Sequence, residues 1–424
     1  MRITNARRNT TLAAAQTYSV LPRRYADYHA MLLGPSGSGK TFDYLLPWTG
    51  LAQTSVVATD PKSELWKHTS GYHREAWRFA PREPDASRAF NWIPLCRDEH
   101  IARLLALALM QPAEDIQEQH FWKFADLRMC ASLFAHAAHQ AVPSPATVYR
   151  LLQLSPTQLV DLLRTSRSMP ARTFANTLGE MKSETQAGVV LSVADKLSFL
   201  DDPVVRRFTS ASLTPPNFGR LVEDPSRPVA VYWVVHERDA ALLQPLTAVF
   251  FTLVMEHLGR VPAHPEARAA LFLDEFANIG RIPDFPMTHS VARGRGMQLV
   301  LGVQSLSQLE ALYGRAGAET IRNNCATKIV LHGLDDVSGE EVSRALGETT
   351  IQHEVQTRTP EGWTTNAYTY AEQHVQRRLL TADEVRRIGI DEAIIIVSNL
   401  RPIRARRFEW SQPERAAQTK PLGP

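Results

Sequence analysis

The chain has 424 residues, 44% apolar and 21% charged, with 27 Pro and 21 Gly spread along it; this allows two or three domains and excludes global disorder, collagen-like repeats and coiled coil. Lys and Arg number 47 against 44 Asp and Glu, a net charge of +3, so any contact with nucleic acid has to come from local clusters. Three cysteines, Cys96, Cys130 and Cys325, stand too far apart for a disulfide framework or a C-x-x-C metal knuckle, and a reducing cytosolic setting is the default.

Residues 1–28 read as a basic arm, a poor secretion signal because Gln16 and Thr17 interrupt its short Ala-rich stretch. Runs rich in Val, Ile and Leu then recur at His29–Leu33, Ser55–Thr59, Val229–Val235, Ala269–Leu273, Gln298–Val303, Thr327–Leu331 and Ala393–Ser398. Uninterrupted apolar runs suit strands covered on both faces, so the expectation is an α/β core with a mainly parallel sheet. From about Asp98 the character turns helical, which reads as an inserted all-α domain. Ser144-Pro145 and Ser155-Pro156 are predicted helix starts. Phe121, Phe124, Leu127, Cys130, Phe134 and Ala138 form one predicted buried stripe. His136 and His139 share a face there but read as surface or packing residues. The apolar stretches Ile101–Met110 and Ala240–Met255 are short or broken by Gln244, Pro245 and Thr247, below the roughly 20 residues a membrane span needs. Thr349–Gln376 is polar and predicts a long loop or an exposed hairpin. Arg377, Arg378, Arg386, Arg387, Arg401, Arg404, Arg406 and Arg407 gather near the C-terminal end, either as a solvated edge or as a strip facing nucleic acid.

After the first apolar run stands Gly34-Pro35-Ser36-Gly37-Ser38-Gly39-Lys40-Thr41, a full G-x-x-x-x-G-K-T between a strand and a helix-compatible stretch. Small residues there let successive N–H groups turn inward around a β-phosphate, Lys40 brings charge to the β- and γ-phosphates, and the Thr41 hydroxyl suits Mg²⁺. Such a loop needs an acidic partner on a neighbouring strand, and Ala269–Leu273 ends in Asp274-Glu275. Asp274 is the predicted Mg²⁺ carboxylate, acting through water, and Glu275 the group that polarises an attacking water. Gln304 ends the next strand and is a candidate sensor of the γ-phosphate. Arg293-Gly294-Arg295-Gly296 offers guanidiniums for a neighbouring subunit's nucleotide or for DNA phosphates. Asp60, in Asp60-Pro61-Lys62-Ser63-Glu64, either tunes the site or simply begins a helix.

Together GPSGSGKT, VVATDPKSEL, FNWIPL at Phe90–Leu95, LFLDEFANIGRIPDF, RGRGMQLVLGVQSLSQLEALYG and RRLLTADEVRRIG with NLRPIRARR resemble the type IV secretion coupling proteins, the TraG-like ATPases of conjugation and effector export. The resemblance implies a RecA-like P-loop NTPase core with an inserted all-α domain: arm 1–28, nucleotide-binding parts 29–97 and 191–410, insertion 98–190, tail 411–424. It implies a homo-hexameric ring, ATP and Mg²⁺ as ligands, and DNA, single-stranded with a relaxase, or effector proteins as cargo for a type IV secretion channel. Lys40 and Thr41 take the loop roles, Asp274 and Glu275 the acidic pair, Gln304 the glutamine after the sensor strand, and Arg295 the arginine acting across the subunit interface. Against the usual member, the sequence is expected to lack the N-terminal transmembrane anchor, and it has Ser63 where Gly is usual. The expected location is therefore cytoplasmic, peripheral at the inner membrane, with a separate anchor protein. An FtsK/HerA-like double-stranded DNA translocase and a non-hydrolysing nucleotide-gated adaptor are the alternatives.

Overall fold

Along β1, His29–Leu33, every residue is buried, yet neighbours go to different cores. Ala30 and Leu32 pack in one cluster with Leu45, Trp48 and Leu65, whereas Met31 and Leu33 join the larger cluster on the other face. Helices covering both faces are the physical reason for an apolar run without alternation. The computed structural model describes residues 28–110, 120–260, 269–361 and 365–407; the predicted tail, and the predicted arm apart from Tyr28, lie outside them.

The other strands are β2 (Ser55–Thr59), β3 (Glu75–Phe79), β4 (Val229–Trp233), β5 (Ala269–Leu273), β6 (Met297–Val303), β7 (Cys325–Val330), β8 (Glu348–Glu361), β9 (Thr365–Arg378), β10 (Glu392–Val397) and β11 (Ile403–Arg406). Nine form one sheet in the order β11-β10-β7-β1-β6-β5-β2-β4-β3. Pairing is parallel from β7 to β3, and β10 and β11 add an antiparallel edge. This is the α/β, RecA-like P-loop arrangement expected. β8 and β9 pair antiparallel over 14 residues each, so the described residues of Thr349–Gln376 follow the hairpin reading rather than the loop.

Between β3 and β4 the chain is helical, from Glu99–Met110 through Ser183–Lys196 to Arg220–Glu223. The division drawn at 190/191 falls inside the helix Ser183–Lys196. Ser155 forms a capping box with Gln158, whereas the Ser144 side chain makes no capping bond. The predicted stripe holds at Cys130, Phe134 and Ala138, but Phe124 is 63% exposed because it lines an open groove with Met169 and Phe174; Phe121 lies outside the described side chains. The FNWIPL segment joins this layer to the sheet: Phe90 and Trp92 are fully buried, and Asn91 donates to Pro143 O and Ser212 O while capping Ile93 N. Phe90 meets Phe79, Phe208, Trp233 and Phe250, the last two rings stacked at 4.2 Å.

The apolar stretch read as broken is one helix, Ala240–Gly259, with Pro245 near its start. It is long and apolar enough to cross a membrane, yet Leu243, Leu246, Val249, Phe250, Leu253 and Leu258 are fully buried in the protein core. Thr247 is held there by a 3.0 Å bond from the Trp233 indole.

Candidate functional site

Carboxyl ends of parallel strands gather ligands because helix starts and strand-end side chains converge there. The loop 34–39 leaves the end of β1, and the chain re-enters helical structure at Lys40–Leu45, a π-helical turn continuing as Leu46–Gly50; π-turns concentrate at functional positions. Lys40 is buried, and its Nζ donates to Gly34 O at 2.7 Å and Pro35 O at 3.0 Å. Burial lowers its pKa, while Asp274 and Glu275 oppose that shift. Ser38 Oγ is buried without a partner in the loop.

β5 brings the acids to the same place. Thr41 Oγ1 donates to Asp274 Oδ2 at 2.5 Å. Thr59 Oγ1 donates to Asp274 O at 2.8 Å and Glu275 N to Asp274 Oδ1 at 3.0 Å. Burial raises the Asp274 pKa, with Thr41 and Lys40 pulling the other way. A hydroxyl and a carboxylate in contact form a donor set suited to a hard divalent cation. Gly302 on β6 permits the approach: a Cβ there would stand 2.9 Å from Asp274 Oδ1 and 3.2 Å from its Cα.

Glu275 adopts a left-handed conformation, φ 50°, strain that the surroundings must hold. Gln304 Nε2 donates to its Oε1 at 3.3 Å and Asn278 Nδ2 to its Oε2 at 2.7 Å. Burial, then repulsion from Asp274 and Glu237, raises its pKa, which suits a group that takes a proton. Lys62, paired with Glu237 at 3.5 Å, also acts on both acids. Asn278 was not singled out from the sequence; its signal was the i+3 spacing from Glu275 in a helical turn.

The structure thus brings Gly34, Pro35, Ser36, Gly37, Ser38, Gly39, Lys40, Thr41, Asp274, Glu275 and Gln304 to one sheet edge. It does not bring Arg295. That residue precedes β6 at the opposite edge, about 20 Å away at the usual strand rise, and donates to Gly259 O. Asp60 takes the simpler of its two readings: its carboxylate accepts Leu65 N at 3.2 Å and Trp66 N at 2.8 Å, starting the helix Glu64–Thr69. Ser63 holds φ 58°, a conformation glycine adopts without strain. Seven of the eight C-terminal arginines pair with acids: Arg377 with Glu384, Arg378 with Glu340, Arg386 with Asp336, Arg387 with Asp383, Arg404 with Glu392, Arg406 with Asp391 and Arg407 with Asp43. Their charge is locally neutralised, which favours the solvated edge over a strip facing nucleic acid.

Over residues 4–420 the chain matches the family described as type IV secretory system conjugative DNA transfer. It is 27% identical over 399 residues to the conjugal transfer protein TraG of Escherichia coli, covering 85% of this chain and 61% of that protein. It is 25% identical over 400 residues to protein VirD4 of Rhizobium rhizogenes, covering 90% and 58%. The chain spans about three fifths of the length of these curated relatives. The bacterial conjugative coupling protein TrwBdeltaN70 has the same fold, with a TM-score of 0.77 at 19% identity over 96% of this chain and 92% of that one. Plasmid coupling protein TrwB in complex with ADP and Mg²⁺ gives 0.74 at 20% identity, covering 95% and 91%.

Proposed function

The chain belongs to the type IV secretory system conjugative DNA transfer family, and from that premise we propose that it is an ATP-hydrolysing coupling protein. It recruits DNA, single-stranded with attached relaxase, or effector proteins, and drives them to a type IV secretion channel from the cytoplasmic face of the membrane as a homo-hexameric ring. The observation that carries this reading is the contact of Thr41 with Asp274 beside a carboxylate held on both oxygens.

The loop N–H groups and Lys40 bind the phosphates of ATP. Thr41, and Asp274 through water, would hold Mg²⁺, which would supply positive charge to offset that of the phosphates. Glu275 orients water for in-line attack at the γ-phosphorus and accepts its proton, and Gln304 and Asn278 keep that carboxylate aimed. Arg295 of the next protomer offsets developing charge. Two adjacent acids, one for the metal and one for the water, favour hydrolysis over nucleotide-gated assembly alone.

The test is ATP turnover by purified protein with and without single-stranded or double-stranded DNA, alongside Glu275→Gln. The variant should keep ATP and lose turnover by about a thousandfold. Equal, negligible turnover in parent and variant under every condition would leave an adaptor, and stimulation by duplex DNA alone would point to a double-stranded DNA translocase.

A further inference from the structure

A second set of groups meets the phosphate loop on its other flank, away from Asp274. In the sheet order β5 lies beyond β6 on one side of β1, while β11 lies beyond β7 and β10 on the other. Arg407 directly follows β11. Its Nε donates to Asp43 Oδ2 at 2.9 Å, its Nη2 bonds the same oxygen, and its Nη1 donates to Ile390 O at 2.8 Å. The two side chains are only 8% and 9% exposed. The guanidinium rests on the loop itself: a Cβ on Gly39 would stand 1.8 Å from Nη2 and 2.7 Å from Asp43 Oδ2. Any other residue at 39 would displace it, and φ 94° there already demands glycine.

A buried ion pair stabilises a fold weakly, because desolvation offsets the attraction. At a phosphate-binding loop the same pair, though neutral overall, presents guanidinium N–H donors. Among the described residues, three of the five guanidinium N–H groups serve Asp43 and Ile390, which leaves two to reach an anion. Its backbone N–H bonds Asp391 O at 2.7 Å, so the chain holds the guanidinium from behind as well.

We propose that Arg407 is a nucleotide-binding residue in cis, whose guanidinium bonds the α-phosphate of a nucleotide held by residues 34–41, with Asp43 pre-orienting it. The metal and water groups occupy the β5 flank, and the loop encloses the β-phosphate, so the phosphate nearest the nucleoside falls to the β11 flank. The exposed side chain of Ile390 stands at that flank as an apolar surface beside the nucleoside.

This inference rests on the nucleotide reading above. The experiment is calorimetric titration of ADP with Mg²⁺ into the parent, Lys40→Ala, Arg407→Ala, Arg407→Lys and Asp43→Asn, with melting curves recorded without nucleotide. Arg407→Ala should raise the ADP Kd on the order of ten- to a hundredfold, the worth of a charge-assisted bond. Arg407→Lys, which keeps charge and most packing if the alanine variant folds poorly, should lose less. Asp43→Asn should tighten ADP, since the amide oxygen can still accept from the guanidinium and orient it while the competing negative charge is gone. A merely structural clasp would weaken ADP equally in Asp43→Asn and Arg407→Ala, and that result, or an unchanged Arg407→Ala, overturns the proposal. Parent binding that Lys40→Ala abolishes keeps the nucleotide reading whichever way Arg407 falls; a parent that does not bind ADP ends both.

Discussion

Thr41 and Asp274, 233 positions apart in sequence, meet at 2.5 Å. β1 and β5 are not neighbours; β6 runs between them, and its Gly302 leaves room for the Asp274 side chain to reach across. The consequence is a test of metal coupling. Asp274→Asn removes charge but little volume, so ADP should bind the variant equally with Mg²⁺ or with EDTA, whereas the parent should bind about tenfold tighter with Mg²⁺. An undiminished Mg²⁺ effect in the variant would place the metal elsewhere.

The second prediction concerns aim. Within the site the Asn278 amide donates to the Glu275 carboxylate, so Asn278→Ala should lower kcat about tenfold and leave KM near the parent's. Removing a bond to the charged form raises the pKa of that form's acid. The acid limb of the kcat–pH profile should therefore move to higher pH in Asn278→Ala. A change confined to KM, or an unmoved limb, would reduce Asn278 to a turn residue.

Much of this site was legible because each part is local: a glycine-rich octapeptide, two acids ending an apolar run, a glutamine ending the next. The core strands were legible for a related reason, since both faces are covered and most of their residues are apolar. β3 and β11 were not. EAWRF and IRAR are short, charged stretches near the sheet edges, where Arg78 pairs with Glu83 and Arg404 with Glu392. The Asp43–Arg407 pair spans 364 residues, and no local pattern encodes a contact at that separation. Phe124 misled because helical spacing locates a stripe but not where its neighbours stop.

A third prediction is a fall in stability on mild acidification. His29 Nε2 donates to His289 O at 3.0 Å while its Nδ1 accepts Leu299 N at 3.1 Å. Both ring nitrogens are satisfied only in the neutral form. Burial, helped by Arg293, lowers the His29 pKa from 6.5 to about 4, and His289, stacked on it at 4.3 Å, is shifted the same way. Above pH 6.5 neither the folded nor the unfolded state is charged here. Between 6.5 and 4 the unfolded state takes up the proton first, so His29 should cost about 3 kcal/mol of stability across that window. Denaturant titrations at pH 7 and pH 5 should show about 2 kcal/mol of it, with a smaller difference in His29→Gln; equal differences would assign the loss to other groups.

Arg295 decides whether one protomer completes another's site. It stands at the amino edge of the sheet while its own chain's phosphate loop stands at the carboxyl edge, so it can serve a phosphate only in a neighbouring copy. Arg295→Ala should therefore bind ATP like the parent and lose turnover by about a thousandfold, as loss of an arginine acting in trans does. Lys40→Ala should lose both. Each variant alone should be inactive, whereas in a mixed ring some interfaces would set an intact Lys40 against an intact Arg295, and turnover should partly return as the two are combined. Arg295→Ala that hydrolyses like the parent would remove the residue from the reaction. A mixture that stays inactive, with assembly verified by light scattering, would confine its role to the bond it makes with Gly259 O, at the end of the long core helix.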